Sequence, residues 1–148
     1  MTPLFGYGTF RKTTWRDAIL GAVYPAQPAT LRGYRRVAIA SGYLSLRETV
    51  ADLQLVHGVL IELDAIGWSI ADRWEEVPKY RRIDVVVNTM HGKVDAQAYV
   101  CARADSAMPV DDDCLTLLAD AEVEDAIESF GPKMRRIRRD AEPPSDDG

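Results

Sequence analysis

Near its start the chain runs from an apolar segment into a glycine-rich loop, Leu4-Phe5-Gly6-Tyr7-Gly8-Thr9-Phe10-Arg11. The apolar and aromatic run that ends at two glycines is typical of a strand entering a turn. A helix is predicted to follow, capped by Thr13 or Thr14 and ended by Gly21. A loop between a strand and a helix is a frequent place for anion binding, so this loop is the first candidate site.

Two chemical interpretations of the loop differ in the group that it would bind. A phosphate-binding P-loop requires glycine immediately before its Lys-Ser/Thr pair, but Arg11 precedes Lys12 and Thr13 here. The bulky arginine would obstruct the tight wrap around a phosphate. Alternatively, a tight turn at Gly8 directs successive backbone N–H groups into one concavity that attracts a carboxylate. Taken alone, the loop is more typical of an ordinary turn that happens to contain glycines.

Four further segments have the residue pattern of strands. They are residues 29–39 with a bend at Gly33, residues 53–63, residues 81–87, and residues 96–101, which pair back on residues 81–87 across a turn at Gly92. Within residues 81–87, Ile83, Val85 and Val87 alternate on one face. Many strands with few helices, and no regular strand–helix alternation, favour a mixed α+β fold over a doubly wound sheet.

The predicted helices are short. Asp64 offers an N-cap for a helix on which Ile66, Ile70 and Trp74 share one face, and Val77-Pro78 ends it. Apolar residues between positions 115 and 130 predict one or two short amphipathic helices, closed by Gly131-Pro132.

The last sixteen residues change in character. A basic run over residues 133–139 is followed by an acidic stretch with two prolines. This composition is typical of a mobile, solvated tail. We therefore predict one folded domain over residues 1–132 and a mobile charged C-terminal tail over residues 133–148.

Glu75 is the second candidate site residue, because it lies at the junction between the Asp64 helix and the strand at residues 81–87. Trp74 and Val77 neighbour it, so an inward-facing Glu75 would have a raised pKa and suit proton transfer near neutral pH. Glu76 follows directly, and both carboxylates could instead decorate a helix end. Adjacent helical side chains diverge by about 100°, so the two cannot face one pocket equally.

Three segments, in this order, resemble the signatures of the γ-glutamylcyclotransferase-like superfamily, and in particular its γ-glutamylaminecyclotransferases, the butirosin-pathway cyclotransferase and the avirulence-induced plant proteins. They are the opening loop at residues 4–11, the strand Val56-His57-Gly58-Val59-Leu60, and Asp72-x-x-Glu75-x-Val77 followed by Tyr80-Arg81-Arg82. The resemblance extends over about residues 4–101. It implies an α+β fold, a small mixed β-barrel flanked by short helices, with a pocket at one mouth of the barrel.

The resemblance also implies a reaction. The free α-amine of a γ-glutamyl amide attacks its own γ-carbonyl and yields 5-oxoproline and a released amine. Because the nucleophile belongs to the substrate, the reaction requires no serine, cysteine, metal or cofactor. Holding the reacting groups together can supply roughly 7–11 kcal/mol at best. By resemblance, Glu75 is the general acid and base, and backbone N–H groups of the loop hold the substrate's carboxylate. The substrate-binding residues so implied are Tyr7, Gly8, Thr9, Phe10 and Tyr80, with Tyr99 as a weaker candidate.

Three departures from the family pattern bear on these expectations. Phe10 replaces the usual leucine, and Glu76 stands where the family often has glycine. Residues 41–52 do not align, and we expect substrate specificity to lie there. Two alternatives stay open: a biosynthetic enzyme that removes a γ-glutamyl group from an intermediate, and a binding or regulatory module of the same fold without turnover.

Composition narrows the class of protein. The 148 residues suit one domain, and a net charge of −5 argues against a nucleic-acid partner. No apolar run approaches the roughly 20 residues of a membrane span, and the absence of a signal-like segment favours the cytoplasm. Cys101 and Cys114 do not suggest a disulfide framework, and His57 and His91 lack zinc-ligand spacing. The expected partner is therefore a small molecule, with a monomer and a homodimer both compatible with the sequence.

Overall fold

Most of the predicted strands close into one barrel. The computed structural model of the chain describes residues 2–38, 44–49, 55–76, 79–101, 108–109 and 120–142. In order around the barrel, the strands are β1 (Leu4–Gly6), β5 (Leu55–Ile61), β2 (Ala26–Arg32), β6 (Tyr80–Thr89) and β7 (Gly92–Cys101). β1 pairs antiparallel with β5 and parallel with β7, so the barrel is mixed. The predicted α+β fold with a small mixed β-barrel is confirmed.

A smaller sheet lies beside the barrel. It consists of β4 (Leu44–Glu48), β3 (Tyr34–Ala38) and β8 (Met108–Pro109), in that order. The single strand predicted at residues 29–39 is divided at Gly33, whose φ of 82° is a left-handed conformation that glycine adopts without steric cost. The bend lets the chain leave the barrel after β2 and enter the smaller sheet.

Three helices flank the barrel, namely α1 (Thr13–Leu20), α2 (Ala65–Trp74) and α3 (Asp120–Ala141). Gly21 ends α1 in a left-handed conformation as predicted, but Lys12 rather than a threonine is its N-cap residue. Asp64 caps α2, because its side chain accepts a hydrogen bond of 2.7 Å from the Gly67 N–H. Ile66 departs from the predicted buried face and is 39% exposed, whereas Ile70 is buried.

α3 overturns two predictions about the C-terminal part of the chain. The helix continues through Pro132 to Ala141 instead of closing at Gly131-Pro132, and it is longer than the short helices expected. Met134 and Ile137 are buried in the core, so residues 133–141 are packed helix and not the predicted mobile tail. Arg135, Arg136 and Arg139 are exposed on the outer face of this amphipathic helix, whereas Arg138 is half-buried against α1. The exposed arginines are the reason why the run resembled a solvated tail. Residues 143–148 lie outside the described residues.

The core has two parts, which β1 separates. Leu4 faces a cluster formed with the three helices, whereas Phe5 faces a cluster inside the barrel together with Val85 and Val87. This follows from the alternation of side chains along a strand. Ile83 packs against the same inner cluster, so the predicted common face of β6 is confirmed.

Gly58 is required where β5 passes β1. A Cβ atom at this position would lie 2.5 Å from the carbonyl oxygen of Gly6 and 2.8 Å from the Phe5 ring. No side chain fits at these distances, so glycine allows β1 and the loop after it to lie close against β5. None of the helices within the described residues is long and apolar enough to cross a membrane.

Candidate active site

A cavity of about 110 Å³ opens where the loop after β1 meets the end of α2. The structure brings together in its lining all six residues predicted for the site. These are Tyr7, Gly8, Thr9, Phe10, Glu75 and Tyr80. Tyr99 of β7, the weaker candidate, also lines the cavity. Residues separated by about 90 positions in sequence therefore share one site.

The loop is a single 3-10 turn over Thr9–Arg11. The Arg11 N–H donates to the Gly8 carbonyl at 2.9 Å, and the Lys12 N–H donates to the Thr9 carbonyl at 3.3 Å. The Phe10 ring is buried and anchors the turn in the helix-facing core. The turn is thereby fixed in shape on the wall of the cavity.

Arg16 of α1 holds the loop from behind, a role that sequence reasoning missed. Its buried guanidinium donates to the Phe10 carbonyl at 3.0 Å and to the Arg11 carbonyl at 3.4 Å. Hydrogen bonds from a charged donor are stronger than those between neutral groups. The sequence does place Arg16 one turn into the helix that directly follows the loop, and this position could have indicated its contact with the loop.

The two neighbouring carboxylates both border the cavity but differ in exposure. Glu75 is the C-cap residue of α2, is half-buried and lines the cavity, and its negative charge contributes to the raised pKa of the Tyr7 and Tyr99 hydroxyls. Glu76 adopts a φ of 54°, and its 58%-exposed side chain lies 3.9 Å from the Lys79 ammonium. The left-handed conformation at this position explains why glycine suits it in the family.

The three tyrosines of the cavity all direct their hydroxyls to protein acceptors. Tyr7 donates to the Tyr99 carbonyl, Tyr80 donates to the Leu44 carbonyl at 3.0 Å, and Tyr99 donates to Asp72 Oδ1 at 2.5 Å. Burial is the main cause that raises the pKa of Tyr7 and of Tyr99. The hydrogen bonds fix these three side chains in the wall of the cavity, and the Tyr7 and Tyr99 hydroxyls stay protonated.

β4 supplies a wall that the sequence did not assign. It lies within residues 41–52, where substrate specificity was expected, and its Leu44 lines the cavity. The fully buried Ser45 accepts a hydrogen bond of 2.9 Å from the Cys101 N–H and hydrogen-bonds the Tyr7 side chain. Residues 41–43 and 50–52 of that stretch lie outside the described residues.

α3 closes another side of the cavity with Phe130 and Lys133. The Phe130 ring packs edge-on against Trp74 at 5.7 Å and against Trp15 at 6.0 Å. The Lys133 ammonium lies 4.9 Å from the centroid of the Trp74 ring, a cation–π arrangement. The sequence analysis did not assign these two residues to the site, because the predicted domain ended next to them, at residue 132.

Cys101, His57 and His91 are not among the residues that line the cavity. Cys101 is a buried free thiol in β7, and Cys114 lies outside the described residues. His57 and His91 are both exposed. Within the described ranges, no three His, Cys, Asp or Glu side chains are grouped so that they could hold a metal ion.

The fold is similar to several solved structures. An Arabidopsis thaliana protein of known solution structure is 24% identical, with a TM-score of 0.59 over 92% of this chain and 81% of its own. An AIG2-like protein from Mus musculus is 17% identical, with a TM-score of 0.61 over 75% of this chain and 86% of its own. A structure described as gamma-glutamyl cyclotransferase is 16% identical, with a TM-score of 0.59 over 86% of this chain and 98% of its own. At these identities the likeness shows the fold alone.

The sequence itself matches one family model. No curated protein matches the chain. The model described as "Gamma-glutamyl cyclotransferase, AIG2-like" matches residues 4–118. That range includes the three signatures and every predicted site residue, and it ends just before α3.

Proposed function

Because the chain belongs to the Gamma-glutamyl cyclotransferase, AIG2-like family, we propose that it cyclises the γ-glutamyl group of a γ-glutamyl amine to 5-oxoproline and releases the free amine. One observation carries the proposal: the Glu75 carboxylate and the Tyr7–Phe10 loop line the same cavity. The substrate is a small molecule, and the reaction needs no cofactor.

The reaction requires a proton acceptor close to the substrate's α-ammonium group. Glu75 takes one proton from this group, and the freed amine forms a bond to the γ-carbon. As the bond between the γ-carbon and the leaving nitrogen breaks, the same carboxyl returns the proton to that nitrogen. In total two protons move from the attacking to the leaving nitrogen, so the amine departs as an ammonium ion. A positioned acid and base of this kind contributes about 10²–10⁴-fold to a rate.

The loop would hold the substrate opposite this carboxylate. In the proposal, backbone N–H groups of Gly8, Thr9 and Phe10 bind the substrate's α-carboxylate, as successive amides in a tight turn attract anions. The hydrogen bonds from Arg16 to the loop carbonyls support such a rigid cradle. Fixing the α-amine near the γ-carbonyl favours ring closure, because the attack becomes intramolecular and pre-oriented.

The proposal is tested by replacing each of the two neighbouring carboxylates. We expect Glu75→Gln to lower 5-oxoproline release by about 10²-fold or more, because glutamine cannot accept the proton. Glu76→Gln is the matched control, since it makes the same change on the exposed side chain, and we expect it to keep the wild-type rate. Release of 5-oxoproline is measured by mass spectrometry with γ-glutamyl-n-butylamine, γ-glutamyl-ε-lysine, γ-glutamylalanine and glutathione as substrates.

The variants must first be shown to unfold at the same temperature as the wild-type protein. Each outcome then has a definite meaning. Full activity of Glu75→Gln overturns the assignment of the base. Absence of product from every substrate with the wild-type protein overturns the activity itself. Thermal stabilisation by these compounds without product would instead identify a binding or regulatory module of the same fold.

A further inference from the structure

A cluster of polar and aromatic side chains connects α2 to the strands β6 and β7 beside the cavity. We propose that Asp72 at the centre of this cluster is a positioning residue for Glu75, because it holds the last turn of α2 at a set distance from the Tyr7–Phe10 loop. The inference rests on the proposed function and adds to it a residue that does not itself line the cavity.

Asp72 is held by two residues that lie opposite each other in neighbouring strands. Arg82 of β6 and Tyr99 of β7 are direct cross-strand partners, so their side chains share one face of the sheet. Tyr99 donates to Asp72 Oδ1 at 2.5 Å, and Arg82 donates to Asp72 Oδ2 at 3.2 Å. Because each carboxylate oxygen accepts from a different strand, the side chain of Asp72 is restrained in both position and rotation.

The preceding turn of α2 docks on the same two residues. The ring of Trp68, four residues before Asp72, lies 4.7 Å from the Arg82 guanidinium carbon and 6.2 Å from the Tyr99 ring. Side chains four residues apart on a helix lie on one face. Two successive turns of α2 are therefore fixed to the Arg82–Tyr99 pair, and Glu75 follows Asp72 by three residues, at the end of this docked face.

Tyr99 also connects this cluster to the loop. Its carbonyl accepts the hydrogen bond from the Tyr7 hydroxyl, while its own hydroxyl donates to Asp72. One residue of β7 is thus bonded to both halves of the cavity, the loop through Tyr7 and α2 through Asp72. Loss of the Asp72 contact would release α2 from this connection and let Glu75 shift relative to the loop.

Because the ion pair between Asp72 and Arg82 is partly exposed, a positioning role and a purely stabilising role predict different effects of removing it. The side chains of Asp72 and Arg82 are 28% and 37% exposed, and exposed ion pairs contribute little to the free energy of unfolding. A small displacement of a catalytic group, in contrast, can slow a reaction by up to about a hundredfold. We therefore expect changes at Asp72 to affect kcat more than stability.

The experiment compares Asp72→Ala, Tyr99→Phe and the double variant, with γ-glutamyl-n-butylamine or whichever compound of the panel the wild-type protein cleaves. We expect each single variant to lose about tenfold in kcat with KM within about twofold, since orientation and not binding is impaired. The double variant should lose no more than Asp72→Ala alone, because the hydrogen bond that Tyr99→Phe removes is already absent in Asp72→Ala. Asp84→Ala is the matched control: Asp84 accepts a hydrogen bond from Gln97 between the same two strands, this bond does not involve α2, and kcat should be unchanged.

The possible failures are distinguishable. If the wild-type protein cleaves none of the compounds, the proposed function fails. If the wild-type protein is active but folded Asp72→Ala and Tyr99→Phe keep their kcat, or their losses multiply in the double variant, the positioning role is wrong. A rise in KM at constant kcat would also overturn it, because it would make Asp72 a binding determinant. Tyr99→Phe removes a single hydroxyl, so it keeps the test decisive should Asp72→Ala fail to fold.

Discussion

Glu76 shows how the backbone of one residue directs the chemistry of its neighbour. Among the described residues it is the one non-glycine residue with a positive φ, at 54°. The chain turns sharply there after α2, so the Glu76 side chain borders the cavity from an exposed position, whereas Glu75 is half-buried in the lining. The sequence shows two adjacent carboxylates and a family preference for glycine at the second. The direction of each side chain depends on where the helix ends. A helical projection assumes a continuous helix and therefore does not show this direction.

We expect Glu76→Gly to raise the free energy of unfolding by up to about 1 kcal/mol. A left-handed conformation costs an L-residue about 1–2 kcal/mol, part of which the greater chain entropy of glycine offsets. The contact with Lys79, at 3.9 Å between exposed side chains, contributes little. Urea unfolding measures the change, and Glu76→Ala serves as the control because it removes the carboxylate and keeps the strain. Equal gains in the two variants would show that the charge, not the backbone, is responsible.

At the scale of the elements, local signals predicted several ends of strands and helices correctly, although not the end of α3. Asp64 begins α2, Gly21 ends α1, and Gly33 and Gly92 mark bends between strands, each with the conformation that its residue type favours. These are short-range effects, since a cap or a left-handed turn involves residues only a few positions apart. The start of α1 was predicted less well, because Lys12 takes the N-cap position without a side-chain hydrogen bond.

The cap of α2 yields a prediction about pH. The hydrogen bond from the Gly67 N–H, followed by that from the Tyr24 hydroxyl, lowers the pKa of Asp64 in the folded state. The stabilisation is therefore complete above the ordinary carboxyl pKa of about 4 and is lost as the pH falls through the lower folded value. We expect Asp64→Ala to reduce the free energy of unfolding by about 0.5–1 kcal/mol near neutral pH, and by progressively less below about pH 4.

Urea unfolding at several pH values between about 2.5 and 7 measures this difference. The control is Glu62→Ala, which removes an exposed carboxylate two residues earlier, outside the cap. A difference between wild type and Asp64→Ala that stays constant over the whole range would contradict the role of the ionised cap.

At the scale of the whole molecule, α3 joins the outer core to the cavity. Met134 and Ile137 are buried with residues of α1 and α2, and the Arg138 guanidinium donates to the Ala18 carbonyl at 2.6 Å. The same helix presents Phe130 to the cavity. A segment that the family model does not match is therefore part of both the core and the site wall.

We expect Met134→Ala to lower the free energy of unfolding by about 2–5 kcal/mol, the usual cost of removing a fully buried methionine side chain. The neighbouring Arg135→Ala changes an exposed residue of the same helix and should alter it by less than about 0.5 kcal/mol. Thermal or urea unfolding measures both variants. Similar, small effects of the two changes would mean that residues beyond position 132 do not pack on the domain.

The sequence by itself determined the features that depend on neighbouring residues and on recurring motifs. The alternation of Ile83, Val85 and Val87, the bend at Gly33 and the cap at Asp64 indicated most of the elements. Three spaced signatures indicated the barrel and the family, which the match over residues 4–118 confirms.

Only the tertiary structure decided how the site is completed. It buried Glu75 more deeply than Glu76 in the lining of the cavity, placed Arg16 behind the loop, and made Phe130 part of the wall. The Asp72–Tyr99 hydrogen bond joins residues 27 positions apart. Contacts of this kind depend on the closure of the barrel and on how the helices dock against it, so no local pattern in the chain specifies them. The glycine loop is recognisable in the sequence, but its place opposite a carboxylate is a property of the fold.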